Sequence, residues 1–201
     1  MAPTVFVVDD DEALGDSLKW LLEAHGYRVA LYGSAERFLA ETTVATPGCL
    51  LLDVRMPGMS GPDLFDALIE RGSQMPVVFI TGHGDVPMAV AAVKKGAIDF
   101  IEKPFGEDEL LRLVAHCLMR DAQQREAVAA SACGAARLAA LTPREREVLE
   151  LIVAGKLNKV IADRLAISPK TVEAHRARVM EKMGVRSVAE LVQAVMAGRP
   201  G

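Results

Sequence analysis

Val5-Phe6-Val7-Val8-Asp9-Asp10 decides the fold: an apolar run that stops abruptly at two carboxylates. Cys49-Leu50-Leu51-Leu52-Asp53 repeats the pattern, Val77-Val78-Phe79-Ile80-Thr81 ends instead on a hydroxyl, and Phe100-Ile101-Glu102-Lys103 ends on an ammonium. Runs this short and this apolar read as strands buried on both faces, the mark of a parallel sheet. Ligands of open α/β sheets bind outside the carboxyl ends of the strands. Asp9, Asp10, Asp53, Thr81 and Lys103 are therefore predicted to meet in one crevice.

Helical patterns lie between these runs. Leu14, Leu18, Leu21 and Leu22 recur at helix spacing before Gly26, and Tyr27, Val29 and Leu31 then alternate as a strand. Leu64, Leu68 and Ile69 form another stripe behind Ser60, a candidate N-cap, with Pro62 in the first turn. Five strands alternating with five helices predict a doubly wound, five-stranded parallel sheet of the flavodoxin-like kind. The last of these helices is expected to begin near Glu107, to extend through the polar residues 120–126, and to give way to a hinge in the small-residue stretch 129–136.

Three carboxylates at one crevice repel one another by roughly 4 kcal/mol per pair at 4 Å and an effective dielectric near 20, so they require a cation or a proton. Hard oxygen donors with an open coordination shell suit Mg²⁺ (or Mn²⁺), which binds through one or two carboxylates plus a phosphate. A lysine and a hydroxyl at the same rim suit the oxygens of a phosphoryl group. The constellation reads as a site for phosphorylating an aspartate.

The rear of the chain is purely helical in pattern. Thr142-Pro143-Arg144-Glu145 is a capping box, opening a helix that carries Val148, Leu149, Leu151 and Ile152. Asn158 is placed as the cap of a short helix with Val160, Ile161 and Leu165. Ser168-Pro169 opens a third helix with Val172, Val179 and Met183 on one stripe, ended by Gly184, and Ser187 caps a fourth with Leu191, Val192 and Val195. Two short helices joined by a tight turn, the second bearing Lys170, Arg176 and Arg178, predict a helix-turn-helix.

Charge divides the chain at the same place. Residues 1–120 carry 10 Lys and Arg against 18 Asp and Glu, a net of −8, whereas residues 121–201 carry 13 against 9, a net of +4. An acidic front and a basic rear imply two domains with different partners, nucleic acid being the candidate for the second. Cys49, Cys117 and Cys133 are odd in number and widely spaced, fitting neither a disulfide framework nor a zinc site. No stretch approaches the ~20 apolar residues of a membrane span, and Met1-Ala2-Pro3-Thr4 enters the first strand without a leader, so a cytoplasmic protein with no membrane partner is expected.

With the acid pair, Asp53, Thr81 and Lys103-Pro104 in register, the first 120 residues resemble the receiver domain of bacterial two-component response regulators. The resemblance implies that Asp53 is the nucleophile taking a phosphoryl group from a phosphohistidine on a sensor histidine kinase. It implies that Asp10, Asp53 and the backbone carbonyl of Arg55 ligate Mg²⁺, with Asp9 acting largely through water. Thr81 and Lys103 would bind phosphoryl oxygens, the Lys103-Pro104 bond would be cis, and Phe100 would be the aromatic switch that turns inward with Thr81. His83, in the loop after Thr81, has no visible partner and is read as structural. Receivers of this class pair when phosphorylated, which places Val90 and Lys94 on a dimer face of the fourth helix.

The segment from Leu141 to Leu149, followed by Ile161-Ala162 and by Ser168-Pro169-Lys170-Thr171-Val172-Glu173-Ala174-His175, resembles the four-helix LuxR-type DNA-binding domain. Together the two resemblances imply a transcription regulator of the NarL/FixJ class, with a receiver at 1–120, a linker at 121–137 and a helix-turn-helix domain at 138–201. Glu145 would be buried against a basic partner. The helix from Pro169 would enter the major groove of double-stranded operator DNA, with Lys170, Thr171, Glu173 and Arg176 near bases or phosphates. Lys159 and Arg178 would contact the backbone, and His175 would either pack beneath the helix or reach a phosphate. Val188 and Leu191 would give the last helix a small dimer contact, and RNA polymerase is the further partner expected. A haloacid dehalogenase-type phosphatase also uses an aspartyl nucleophile after a strand, but it needs a second Asp two positions on, where this chain has Arg55.

Overall fold

A computed structural model describes residues 2–43, 45–82 and 86–198. It divides into two compact units, residues 1–124 and 125–201. The first is built from β1 (Thr4–Val8), α1 (Glu12–Ala24), β2 (Arg28–Tyr32), α2 (Ala35–Glu41), β3 (Gly48–Asp53), α3 (Gly61–Glu70), β4 (Val77–Thr81), α4 (Val86–Lys94) and β5 (Asp99–Glu102). The strands pair in parallel in the order β2-β1-β3-β4-β5. Every residue of β3 and β4 is buried, as continuous apolar runs require when helices cover both faces.

The two faces carry separate cores. Phe6, Phe38, Leu50, Leu52, Leu64, Phe65 and Phe79 fill one, under α2, α3 and α4. Val7, Leu18, Leu22, Leu51, Ile80, Leu110 and Val114 fill the other, under α1 and the start of α5 (Glu107–Ala139). Alternate residues of each strand point to opposite faces, so a register slip of one residue would exchange the two cores. Cys49 and Cys117 are buried free thiols in the second core, where burial pushes the Cys117 thiol up to about 12, and Cys133 is a free thiol on the surface. Both buried thiols are thus chemically inert filling.

One sequence expectation fails here. The hinge predicted at residues 129–136 is helical, because α5 runs unbroken from Glu107 to Ala139. Alanine is the best helix former, and one glycine costs only about 1 kcal/mol relative to it, too little to break the helix at Gly134. The polar stretch 120–126 also contributes to the fold. Asp121 is buried and accepts a hydrogen bond from the Gly48 N–H at 3.0 Å, tying α5 to the start of β3.

The second unit comprises the end of α5, then α6 (Pro143–Val153), α7 (Asn158–Leu165), α8 (Pro169–Met183) and α9 (Val188–Gly198) around Val148, Ile152, Ile161, Val172, Val179, Met183 and Leu191. The Thr142 capping box is present, with Pro143 at the first turn, and Ser168 caps α8. Asn158 does not cap α7: it is the first helical residue, and Leu157 holds the cap position without a side-chain hydrogen bond. Leu191, expected at a dimer contact, is fully buried in the core, because the apolar stripe of α9 faces α6 and α8 and leaves Val188 at its edge exposed. Among the described residues no helix is long and apolar enough to cross a membrane.

Candidate functional site

The order of the strands assembles the first site. β1 and β3 are neighbours at the point where the chain order reverses, so Asp9 and Asp53 emerge side by side. Lys103 follows β5, two strands from β3, and its Nζ crosses the end of β4 to lie 2.6 Å from Asp53 Oδ1 and 3.0 Å from Asp9 Oδ2. Both carboxylates are buried. The second oxygen of Asp53 accepts the Arg55 N–H at 2.7 Å, and the second oxygen of Asp9 accepts the Asp11 N–H at 2.9 Å. Asp11 in turn caps α1 through the N–H groups of Ala13 and Leu14. The Lys103-Pro104 peptide is cis, as the receiver resemblance implies.

Burial raises the Asp53 carboxyl above its ordinary pKa and the Asp9 charge adds to the rise, against the hydrogen bond and charge of Lys103. Burial also opposes the Lys103 charge, but hydrogen bonds to Asp53 and Asp9 outweigh it and raise the ammonium pKa. Two buried anions share one cation, so the site holds surplus negative charge. Its carboxylates offer hard oxygen ligands, the kind that suit a divalent cation such as Mg²⁺.

Asp10 is exposed at the rim, and among the described residues no three acidic, His or Cys side chains are drawn together as a metal cluster. Thr81 is fully buried at the end of β4, with its hydroxyl donated to the Gly82 carbonyl at 3.1 Å. Phe100 is half-buried against the first core. His83 lies outside the described residues, as do Gly84 and Asp85 before α4. Val90 and Lys94 of α4 are exposed.

Two supports of this site escaped the sequence reading. A Cβ on Gly61 would lie 2.1 Å from the Asp53 carbonyl oxygen, so only glycine lets α3 start this close to the end of β3. Glu36 accepts the Met59 N–H at 3.0 Å and so pins the loop after Asp53 from α2. Gly61 had a signal, standing between a cap and a proline. Glu36 had none, because its partner is 23 residues away.

In the second unit, α8 buries Val172, Val179 and Met183 and presents Lys170, Thr171, Glu173 and Arg178 to solvent. Arg176 and His175 are half-buried at its edge, and His175 Nδ1 is buried without a hydrogen-bond partner. Thr171 also serves the N-cap, its hydroxyl 2.8 Å from that of Ser168. Lys159 is exposed on α7. The basic partner of Glu145 is Lys182, at 2.7 Å.

A crevice of this composition on a 2-1-3-4-5 sheet, joined to a four-helix unit with a solvent-facing basic helix, defines a receiver domain coupled to a helix-turn-helix. The response regulator receiver domain family matches residues 5–115, and the luxR family of bacterial regulatory proteins matches residues 139–195. The chain belongs to the two-component response regulators of the FixJ/NarL type: it is a DNA-binding transcription regulator and not an enzyme. It is 45% identical over 194 residues to the transcriptional regulatory protein FixJ of Bradyrhizobium diazoefficiens, covering 96% of this chain and 94% of that one. The C4-dicarboxylate transport transcriptional regulatory protein DctR of Rhodobacter capsulatus is 46% identical, covering 96% and 99%. Among solved structures, the response regulator StyR superposes with a TM-score of 0.90 at 43% identity over 98% of this chain and 99% of that one. Full-length FixJ from B. japonicum gives a TM-score of 0.62 at 42% identity, over 98% and 97%.

Proposed function

We propose that Asp53 is the phosphoacceptor of this regulator. The observation that best supports it is the placement of Lys103 Nζ between Asp53 and Asp9 at the ends of β5, β3 and β1. An Asp53 carboxylate oxygen attacks the phosphorus of a kinase phosphohistidine, forming the P–O bond as the P–N bond breaks, and the imidazole leaves with the bonding pair. Lys103 then pairs with a phosphoryl oxygen, and Thr81 gives up the Gly82 carbonyl to donate to another. Mg²⁺, when bound, neutralises phosphoryl oxygens in the transition state. Asp10, Asp53 and the Arg55 carbonyl would hold it, with Asp9 reached through water.

Movement of Thr81 frees space for Phe100 to turn inward and reshapes the α4 face that carries Val90 and Lys94. The phosphorylated chain then pairs through that face and reads operator DNA with α8, Lys170 and Arg176 at the bases and Lys159 and Arg178 at the phosphates. RNA polymerase is the partner through which it acts, in the cytoplasm. Incubation with acetyl phosphate and Mg²⁺, followed by intact mass measurement, tests the central step. A single phosphoryl addition is expected, absent from Asp53→Asn, and undiminished labelling of that variant would refute the assignment.

A further inference from the structure

The last turn of α5 is bonded to α8, although it precedes the residues that match the luxR family. Arg137 Nη1 donates to the carbonyl of Met183, the final residue of α8, at 2.9 Å. From the other side Lys182 donates to the Ala140 carbonyl at 3.2 Å while its Nζ also holds Glu145. The last carbonyls of a helix have no partner within it and carry partial negative charge, so a guanidinium there satisfies both a hydrogen bond and the dipole. The following residue, Gly184, adopts a left-handed φ of 67°, and a Cβ on it would lie 3.2 Å from the Arg137 guanidinium carbon. Glycine therefore both ends the helix and gives the arginine room to reach it.

We infer that Arg137 is a positioning residue for DNA recognition, fixing the C-terminal end of α8; the inference rests on the reading of α8 as the helix that enters the major groove. One apolar stripe, Val172, Val179 and Met183, anchors α8 to the core, and a helix held along a single stripe can tilt about it. Ser168 caps the first turn of α8 through the Thr171 N–H at 3.1 Å, whereas the far end is tied to the rest of the unit by Arg137 on the Met183 carbonyl, beside Lys182 on Glu145 and the Ala140 carbonyl. Without Arg137 the last turn is held less firmly, and α8 spends less time with Lys170 and Arg176 in register with base edges. Attraction to phosphates, which needs charge rather than register, is unaffected.

The test compares full-length wild type, Arg137→Met, Arg137→Lys and Lys170→Ala by fluorescence anisotropy across a salt series. Its probes are a duplex that wild type selects from a randomised pool and a scrambled version of it. Arg137→Met is expected to weaken binding to the selected duplex about three- to tenfold while leaving the scrambled duplex and the log–log salt slope unchanged. Arg137→Lys, which keeps a donor and the charge, restores most of the loss. Hydrogen exchange of Arg137→Met should quicken only in the last turn of α8. Equal loss on both duplexes with a slope reduced by about one would make Arg137 a phosphate contact and overturn the inference. No loss on either duplex, or faster exchange throughout α6 to α9, overturns it as well. If Arg137→Met binds normally while Lys170→Ala loses selected-duplex affinity, only the role of Arg137 falls; if Lys170→Ala is also normal, the reading of α8 falls with it.

Discussion

In the receiver, Lys103 Nζ lies 2.6 Å from a buried Asp53 oxygen, and in the DNA-binding unit Lys182 Nζ lies 2.7 Å from a buried Glu145 oxygen. The two contacts are alike, yet the carboxyls are driven in opposite directions. Glu145 is held down to about 2 by its hydrogen bond from Lys182, helped by the Thr142 N–H of the capping box, whereas Asp53 is raised by burial. One anion meets one cation around Glu145. Around Asp53 a second carboxylate, Asp9, competes for the same lysine. A balanced pair joins two helices, and an unbalanced one keeps an appetite for positive charge. Receivers place surplus charge where phosphoryl chemistry needs it, a local conflict that the rest of the sheet is stable enough to carry.

The contrast can be broken most severely at the lysines. Lys103→Met should slow Asp53 phosphorylation by acetyl phosphate by roughly 10²-fold, the usual cost of removing one preorganised charge from a transition state, and, since it leaves Asp9 and Asp53 buried without their cation, also lower the thermal midpoint of the receiver. Lys182→Met should act on stability alone. Phosphorylation stays at the wild-type rate, and the Tm of the helical unit, followed by circular dichroism, falls by roughly 5 °C because Glu145 is left buried without its cation. If each variant affects both readouts equally, the two pairs do not differ in kind.

Acid sharpens the comparison further. A folded-state pKa held below the ordinary carboxylate value contributes stability above that ordinary value and loses it as pH falls toward the folded one. The Tm gap between wild type and Glu145→Gln should therefore be full at neutral pH and close between about pH 4.5 and 2. Asp53 has the opposite sign: its raised folded pKa favours the fold at low pH, and that contribution is lost as pH rises through it. The smallest predicted effect follows, with Asp53→Asn melting roughly 2 °C above wild type at neutral pH and level with it under acid conditions where Asp53 is protonated. A neutral-pH destabilisation of this variant would show that the Lys103 bond outweighs burial.

Much of this was legible because it is local. Apolar runs closed by Asp9, Asp53, Thr81 and Lys103 specify strands and the end of the sheet at which chemistry gathers, since strand direction alone carries those residues to one edge. Caps were equally readable at Ser60, Thr142 and Ser168, where the partner lies three residues away. The errors arose where a local signal met a competing term. Small residues at 129–136 suggested a hinge, but alanine's helix propensity carried α5 through them. Leu191 looked available for pairing until the helical unit closed around it.

The sequence by itself determined which groups this regulator possesses and at which ends of which elements they stand, because periodicity and chain direction are properties of neighbouring residues. Only the tertiary structure decided who shares a charge with whom. Lys103 between Asp9 and Asp53, Lys182 on Glu145, Asp121 at the start of β3 and Arg137 on the last carbonyl of α8 all join residues 37 to 94 positions apart. Such bonds depend on the packing of whole elements, and burial then sets whether a given carboxylate becomes a strut or a reactive group.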